Sequence, residues 1–330
     1  MISAYVFLIF LLSITSSPSH ASVSDASLSD ASCPTGLRIL TRERRSVSGP
    51  PPSSMPSDLR WAYTRCGTIA VGNFFVDDSR EGKGTHYSHG RSDIDARVKA
   101  AARDLVSARA GRDVGVKASL LSRLAVALVE PSVLARLTRP NSSAVVFGSS
   151  SPGVEALLIA AGATRVLTVE YNNLTYTHPA LSTARPAEVL AAWNAAKNED
   201  ARIGNRGSYD LALSISSFDH DGLGRYGDPL APDGDLVAMD DMAAYIRDDG
   251  LALVAVPIGL DVVWWNLMRE YGPTRLPLLI DEVSTWRITA RVGWDAARFG
   301  SARDLSKGPG RPHEPVFILE KKPVAEGGDL

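Results

Sequence analysis

Apolar runs and amphipathic stretches alternate along this chain, and their two periods read in turn as strands and helices. Residues 144–147 form a continuous apolar run, as expected of a strand buried on both faces. Residues 154–161 read as an apolar helix that Gly162 stops, and 165–169 as a second strand. Further on come a strand or loop near 180–184, a helix near 187–198, a strand at 209–216 and a helix over 236–247. A strand at 251–256, a helix over 261–271, a strand within 277–280 or 284–292 and a last strand at 315–320 complete the pattern. Upstream, 67–76 reads as an edge strand or ordered arm. Ile94, Val98, Ala101 and Leu105 recur at helical spacing, and a second helix over about 116–129 carries Leu120, Leu121, Leu124 and Leu128 on one face. The alternation predicts an α/β fold: a doubly wound, mostly parallel sheet of seven strands with an N-terminal helical cover. The 315–320 strand is expected antiparallel beside 251–256.

The first strand–turn–helix–strand unit carries the first chemical signal. The turn reads Gly-Ser-Ser-Ser-Pro-Gly from Gly148, and Glu170 follows the second strand, 22 residues after Gly148 (170 minus 148). In a Rossmann-like βαβ unit that spacing sets a carboxylate where it can hold a ribose diol, so the segment predicts a nucleoside-containing ligand. The turn is not G-x-G-x-x-G. Val154 and Glu155 stand where a phosphate-cradling loop needs Lys and Ser/Thr, which argues against a triphosphate. Ser150, Ser151 and Pro152 still offer small side chains, free N–H groups and a proline suited to a helix start. The plainer alternative is that the serines cap a helix and Glu170 merely ends a strand.

Residues 214–235 form the second signal. They are polar and glycine-rich, and they follow a strand whose carboxyl end should open on the ligand edge of the sheet. Asp219, His220, Asp221, Arg225, Tyr226 and Asp228 are concentrated there. A histidine exchanges a proton near neutral pH, and an adjacent carboxylate can orient it. Arg225 could clamp a carboxylate or phosphate. The alternative is a surface loop held by its own hydrogen bonds.

Composition narrows the field. The chain has 330 residues, 45% hydrophobic, with a net charge of −2, so no charge excess points to nucleic acid or an anionic membrane. Residues 5–14 are apolar, and Ser19-His20-Ala21 resembles a cleavage site. Residues 1–21 therefore read as a secretory signal peptide, with an uncleaved signal anchor as the alternative that would bring a membrane into play. Residues 22–57 read as disordered chain and Pro/Ser linker, 58–139 as an arm and helices packing on the core, 140–322 as the catalytic-type domain and 323–330 as a polar tail. Cys33 and Cys66 are the two cysteines and could pair in an oxidising lumen. No Cys/His cluster has zinc spacing, so no metal site is expected. Asn141 and Asn173 lie in glycosylation sequons, and Asn173, beside the expected ribose site, is expected to stay unmodified.

The strings GSSSPGVEALLIAAGATRVLTVEYNN, GLGRYGDPLAPDGDLVAM, GLALVAVPIGLD and Tyr271-Gly-x-x-Arg275-Leu-Pro resemble the DUF268 family, first described from Caenorhabditis proteins of unknown function. That resemblance implies a class I S-adenosylmethionine-dependent methyltransferase-like fold, with S-adenosylmethionine as the suspected cofactor. It sets Gly148, Ser149, Ser150 and Glu170 on cofactor positions, and Pro152, Glu155, Tyr171 and Ser217 are further candidate cofactor-binding residues. It also sets His220, Asp219, Arg225, Tyr226 and Asp228 where an acceptor binds. Val146 stands where ordinary methyltransferases end the first strand on an acid, and serines with a proline replace the later glycines.

Three functions follow. The first is a methyltransferase-like enzyme of the secretory pathway, in the lumen or secreted, acting on a small molecule or a glycan. The second is an inactive Rossmann-like binding module. The third is a serine hydrolase, since Gly148-Ser-Ser150 resembles a nucleophile turn with Asp281 and His313 following in order.

Overall fold

The computed structural model describes residues 44–47, 49–80, 84–111, 118–195, 203–280 and 284–322. In chain order the elements are α1 (Arg60–Tyr63), β1 (Ala70–Phe74), β2 (His86–His89), α2 (Arg91–Arg109), α3 (Leu120–Val129), α4 (Pro131–Leu137), β3 (Ser143–Phe147) and α5 (Gly153–Ala161). Then come β4 (Arg165–Val169), β5 (Asn173–Tyr176), β6 (Leu181–Ala184), α6 (Pro186–Asn194), β7 (Tyr209–Ile215), α7 (Gly234–Met242) and β8 (Ile246–Ala255). The last are β9 (Val262–Asn266), β10 (Met268–Glu270), α8 (Leu276–Ile280), β11 (Trp286–Val292) and β12 (Val316–Lys321). The expected signal peptide, most of the linker, Cys33, Asp281 and the polar tail lie outside the described residues.

The main sheet has seven strands in the order β11-β12-β8-β7-β3-β4-β6. From β6 to β8 all pairs are parallel, and β12 is antiparallel to both β8 and β11. This is the expected Rossmann-like, doubly wound α/β sheet, with 315–320 beside 251–256 as read from the sequence. Strand alternation explains both covers. Ala144, Val146, Leu211, Leu213, Leu251 and Leu253 face the apolar sides of α2, α3, α4 and α5. Val145, Leu167, Ala212, Ala252 and Val254 face the opposite way, onto α6, α7 and α8. The inner strands β3, β4, β7, β8 and β12 are thus buried on both faces over most of their length, which is why they read as unbroken apolar runs.

Three elements differ from expectation, and the open alternative for the further strand is resolved in favour of 284–292. Residues 261–271 are not helical. Val262, Val263, Trp264 and Trp265 are all buried, and β9 pairs in parallel with β1 and antiparallel with β10 in a separate three-stranded sheet. A fully buried run carries no period to separate strand from helix, and its β-branched and aromatic residues favour the strand. The 236–247 helix ends at Met242: Ile246 keeps helical spacing from Met239 and Met242, yet it is drawn into β8 opposite Tyr209. Residues 277–280 are helical, so the further strand lies within 284–292. The 116–129 helix begins at Leu120 and is followed after Glu130 by α4, with Pro131 in its first turn. A small parallel pair, β2 with β5, was not foreseen and ties His86–His89 to the chain after β4.

Candidate active site

The carboxyl ends of β3, β4 and β7 open side by side, because the three strands are parallel and adjacent. Ligands of open α/β sheets settle at this edge, where the strand order reverses. A cavity of about 150 Å³ lies here, walled by Gly148 after β3, Tyr171 after β4, Ser217 after β7, and Asp228 and Asp241 from the following loop and helix. Phe147 forms part of the wall, with Phe218 and Tyr245 packed on its ring at centroid distances of 5.5 and 4.9 Å. Gly148 is at φ +68°, and a Cβ there would come 1.9 Å from Ser217 Oγ. Only glycine fits a left-handed turn pressed this closely by its neighbour.

The cavity is acidic. Asp221, Asp228 and Asp241 line it against Arg44 as the lining cation. Burial, with Asp228 alongside, pushes the Asp221 carboxyl well above the usual range, and burial also raises Asp228. Beyond Tyr171, Glu170 borders an adjoining polar cleft of about 430 Å³ that Asn172, Thr175, Arg185 and Glu188 also line. Glu170 is 8% exposed. Its Oε1 accepts from the Asn172 backbone N–H (2.9 Å) and side-chain amide (3.0 Å), while Oε2 accepts no hydrogen bond among the described residues.

The loop after β7 is held by buried charge. Asp228 Oδ2 accepts from the amides of Gly222 (2.8 Å) and Gly224 (3.1 Å), and Oδ1 from that of Tyr226 (3.2 Å), so one carboxylate folds the turn. Arg269, on β10, is fully buried and donates to the carbonyls of Asp221 (2.6 Å), Ala231 (3.3 Å) and Pro232 (3.2 Å). Arg275 donates to both oxygens of Asp235 (2.5 and 2.9 Å) and to the Pro232 carbonyl (2.9 Å), and Tyr271 OH donates to Asp235 (2.9 Å). The Tyr271-Gly-x-x-Arg275 string therefore clamps the Pro232–Asp235 turn, and the two motifs read separately in the sequence are one structure. The two arginines hold the Asp235 carboxyl down at about 2 against the opposing effect of burial.

Next to this loop sits an acid–base cluster. Ser216 directly follows β7 in the left-handed region (φ 54°), an uncommon conformation for a serine. Its side chain lies beside Glu314, which stands two residues before β12 and so reaches the same sheet edge. Asp219 is 1% exposed, and neither carboxylate oxygen accepts a hydrogen bond among the described residues. Glu314 Oε1 is buried without one as well. Burial pushes Asp219 up to about 7, and burial together with Asp219 pushes Glu314 up to about 7. Burial and the nearby Arg225 cation press His220 down to about 4. Its Nδ1 donates to the Leu267 carbonyl at 2.6 Å, and Nε2 lies 3.4 Å from Asp219 Oδ2. At neutral pH this is an uncharged imidazole with Nε2 as an acceptor beside carboxyls that titrate near 7. Such a group can take up or return a proton.

The cavity thus brings together four of the sequence-predicted residues: Gly148, Tyr171, Ser217 and Asp228. Glu170 borders the adjoining cleft. His220, Arg225 and Tyr226 form a neighbouring group: Arg225 binds Asp78 (2.7 Å) and lies 4.8 Å over the Tyr226 ring, which stands edge-on to His220 at 5.7 Å. Ser149 and Ser150 stay in the turn, with the Ser150 carbonyl bonded by His89 at 2.9 Å, and Pro152 caps α5. Glu155 turns inward. It accepts from Thr168 (2.8 Å), Tyr176 (3.2 Å) and Ser149 (3.2 Å), and its carboxyl is raised by burial. Ser150 and His313 are not joined by any contact among the described residues, and His313 Nε2 is bonded to the Gly293 carbonyl at 2.8 Å. Arg44, Asp241 and Glu314 are additions. Glu314 alone had a sequence signal: the residue before an antiparallel last strand must lie at the ligand edge. Among the described residues no cluster of His, Cys, Asp and Glu could hold a metal ion, and no helix is long and apolar enough to cross a membrane.

Residues 141–290 match the family model described as Caenorhabditis protein of unknown function, DUF268. No curated protein sequence matches the chain. Among solved structures, the chain is similar to a Burkholderia thailandensis 1,6-didemethyltoxoflavin-N1-methyltransferase with bound 1,6-didemethyltoxoflavin and S-adenosylhomocysteine. That pair shares 18% identity over 68% of this chain and 88% of that one, with a TM-score of 0.35. It is also similar to a TehB-like SAM-dependent methyltransferase from Corynebacterium glutamicum (13% identity, 69% and 99% covered, TM-score 0.34). The CcbJ methyltransferase from Streptomyces caelestis is a third (11% identity, 58% and 87% covered, TM-score 0.34).

Proposed function

We propose that this chain is an S-adenosylmethionine-dependent methyltransferase-like enzyme of the secretory pathway that acts on a small molecule or glycan. The observation that carries the reading is the pairing of an acidic cavity at the ends of β3 and β7 with a free carboxylate oxygen at the end of β4. A ribose diol fits Glu170 Oε2, which has no other bond to make among the described residues. The cationic sulfonium and ammonium groups of the cofactor fit a cavity with Asp221, Asp228 and Asp241 in its wall. A cation there would keep ionised the carboxyls that burial otherwise drives towards the neutral form. Gly148, at positive φ, lets the backbone approach the ligand closely.

The bound cofactor supplies a methyl group already activated for transfer, so the protein's work is alignment and proton removal. In this reading His220 Nε2 takes the proton of a hydroxyl or amine acceptor, and Asp219 and Glu314 receive or return it. Net charge gives no support for a nucleic-acid acceptor. The secretory assignment is supported by the apolar stretch at 5–14 and by Cys66, which is disulfide-bonded. Its check is mass spectrometry of the mature N-terminus: a chain beginning near Ser22 supports it, and retention of Met1 counts against it.

The test of the activity class is calorimetry on the full chain with S-adenosylmethionine, S-adenosylhomocysteine, NAD and a UDP-sugar. The expected result is saturable binding of the first two. Binding of none, or of NAD or the UDP-sugar instead, would overturn the reading.

A further inference from the structure

A second cleft, of about 170 Å³, opens where Pro257, Ile258 and Gly259 leave the carboxyl end of β8. Its far wall is the segment carrying Arg298, Arg303 and Arg311. We propose that this cleft is an oxyanion subsite, in which the three arginines hold a phosphate, sulfate or carboxylate group carried by the acceptor. That the ligand is the acceptor rests on the methyltransferase reading; that the cleft takes an oxyanion does not.

The cleft carries three guanidinium groups against a single lining carboxylate. Glu270 is the carboxylate that lines the cleft, and it is already engaged. Its Oε1 accepts from the Leu260 amide (3.2 Å), and its Oε2 accepts from Trp264 Nε1 (3.1 Å) and from Arg303. Arg303 is aimed by further bonds to the carbonyls of Gly308 (3.3 Å) and Pro309 (2.8 Å) and by the Trp264 ring beneath it at 5.1 Å. Arg298 is steadied by Asp295 at 3.3 Å. Arg311 makes no hydrogen bond or ion pair among the described residues. Arg298 and Arg311 both act on Arg123 as repelling cations, so the positive groups crowd one another. The chain as a whole is slightly acidic, which makes a cleft of three guanidinium groups a local feature rather than a general surface property. Guanidinium forks already oriented by other bonds lose little freedom on binding, and their planar donors match the oxygens of phosphate, sulfate and carboxylate.

Position supports the role. The cleft lies at the same sheet edge as the cavity, and His313 in its wall is followed directly by Glu314, the buried carboxyl that interacts electrostatically with Asp219 and His220. An acceptor anchored here by its anionic end would present its neighbouring groups to the acid–base cluster.

The test uses the full chain and three inorganic or simple probes, phosphate, sulfate and acetate, each against chloride at matched ionic strength, read by thermal shift and calorimetry. Saturable stabilisation by at least one oxyanion is expected, weakened at least tenfold in Arg311→Glu. Arg311 is exposed, so that variant should fold, and circular dichroism checks it. Response to phosphate and sulfate but not acetate would assign a phosphoryl or sulfuryl acceptor, and response to acetate a carboxylate. The absence of saturable binding, or equal binding by wild type and Arg311→Glu, would overturn the subsite. S-adenosylhomocysteine is titrated in parallel. A protein that binds the oxyanion in an Arg311-dependent way but no S-adenosylhomocysteine would keep the subsite and remove the methyltransferase reading.

Discussion

The turn after β3 and the loop after β7 leave the same edge of the same sheet, yet they are built in opposite ways. The turn has few side-chain ties: Gly148 is exposed, Ser149 bonds only within its own turn and to Glu155, and the backbone is left bare. The loop is fixed by a buried network in which Arg269 and Arg275, contributed by distant residues, satisfy carbonyls and carboxylates from Asp221 to Asp235. A bare turn admits a ligand's backbone contacts, whereas a locked loop holds reactive groups in place. Under the proposed function, recognition falls to the β3 side and positioning of the acid–base cluster to the β7 side.

The largest expected effect breaks the lock. Arg275→Ala leaves the buried Asp235 with Arg269, 3.7 Å away, in place of its hydrogen-bonded cation, and urea unfolding should report a loss of about 3–5 kcal/mol. A loss below about 1 kcal/mol would mean that the network does not hold the loop. Next comes Asp219→Asn, which sharpens the account of the cluster. Burial pushes the folded carboxyl up to about 7 from its ordinary 3.8. The folded state therefore binds the extra proton between those values, and the associated stability is present at low pH and lost as pH rises through about 7. His220, at about 4 folded against 6.5, works the other way, raising stability as pH climbs through that range. Asp219→Asn should remove the first contribution, on the order of 4 kcal/mol, from a stability–pH profile between about pH 4 and 8. An unchanged profile would show that Asp219 is not a buried titrating group.

On the other side, Gly148→Ala should cost about 1–2 kcal/mol, since it combines a positive φ with a clash against Ser217. Adding Ser217→Gly should return part of that loss, the part due to the clash. Full recovery would mean that φ is not under strain, and no recovery that the contact is not tight. The smallest effect is on binding. Glu170→Ala should weaken S-adenosylhomocysteine by about 1–2 kcal/mol while lowering stability by less than about 1 kcal/mol. A larger loss of stability than of affinity would make Glu170 a structural tie to Asn172 instead.

The same contrast explains what was legible in the sequence. The β3–α5–β4 unit is local: its apolar runs, Gly162 stop and Glu170 spacing lie within one short stretch, so the turn and its carboxylate could be read directly. The antiparallel β12 was legible as an apolar run late in the chain. The loop after β7 was legible as chemistry but not as structure. Its Asp and Gly content reads as exposed, and only the approach of Arg269 and Arg275 makes it an interior feature. Because that approach depends on β10 and α8, the misreading of 261–271 as helix also hid the clamp. Glu155 turned inward for a comparable reason: its partners Thr168 and Tyr176 come from β4 and β5, and β5 was not foreseen. Asp241 and Arg44 reach the cavity only through the tertiary fold.

The most direct measurement of the central claim is isothermal calorimetry of S-adenosylhomocysteine with the full chain and with Glu170→Ala, at one pH and ionic strength. Saturable one-site binding that weakens about 5–30-fold in the variant, the factor corresponding to about 1–2 kcal/mol, is the predicted result. No binding by the wild type, or equal affinity in both proteins, would contradict the assignment of this sheet edge as a nucleoside-cofactor site.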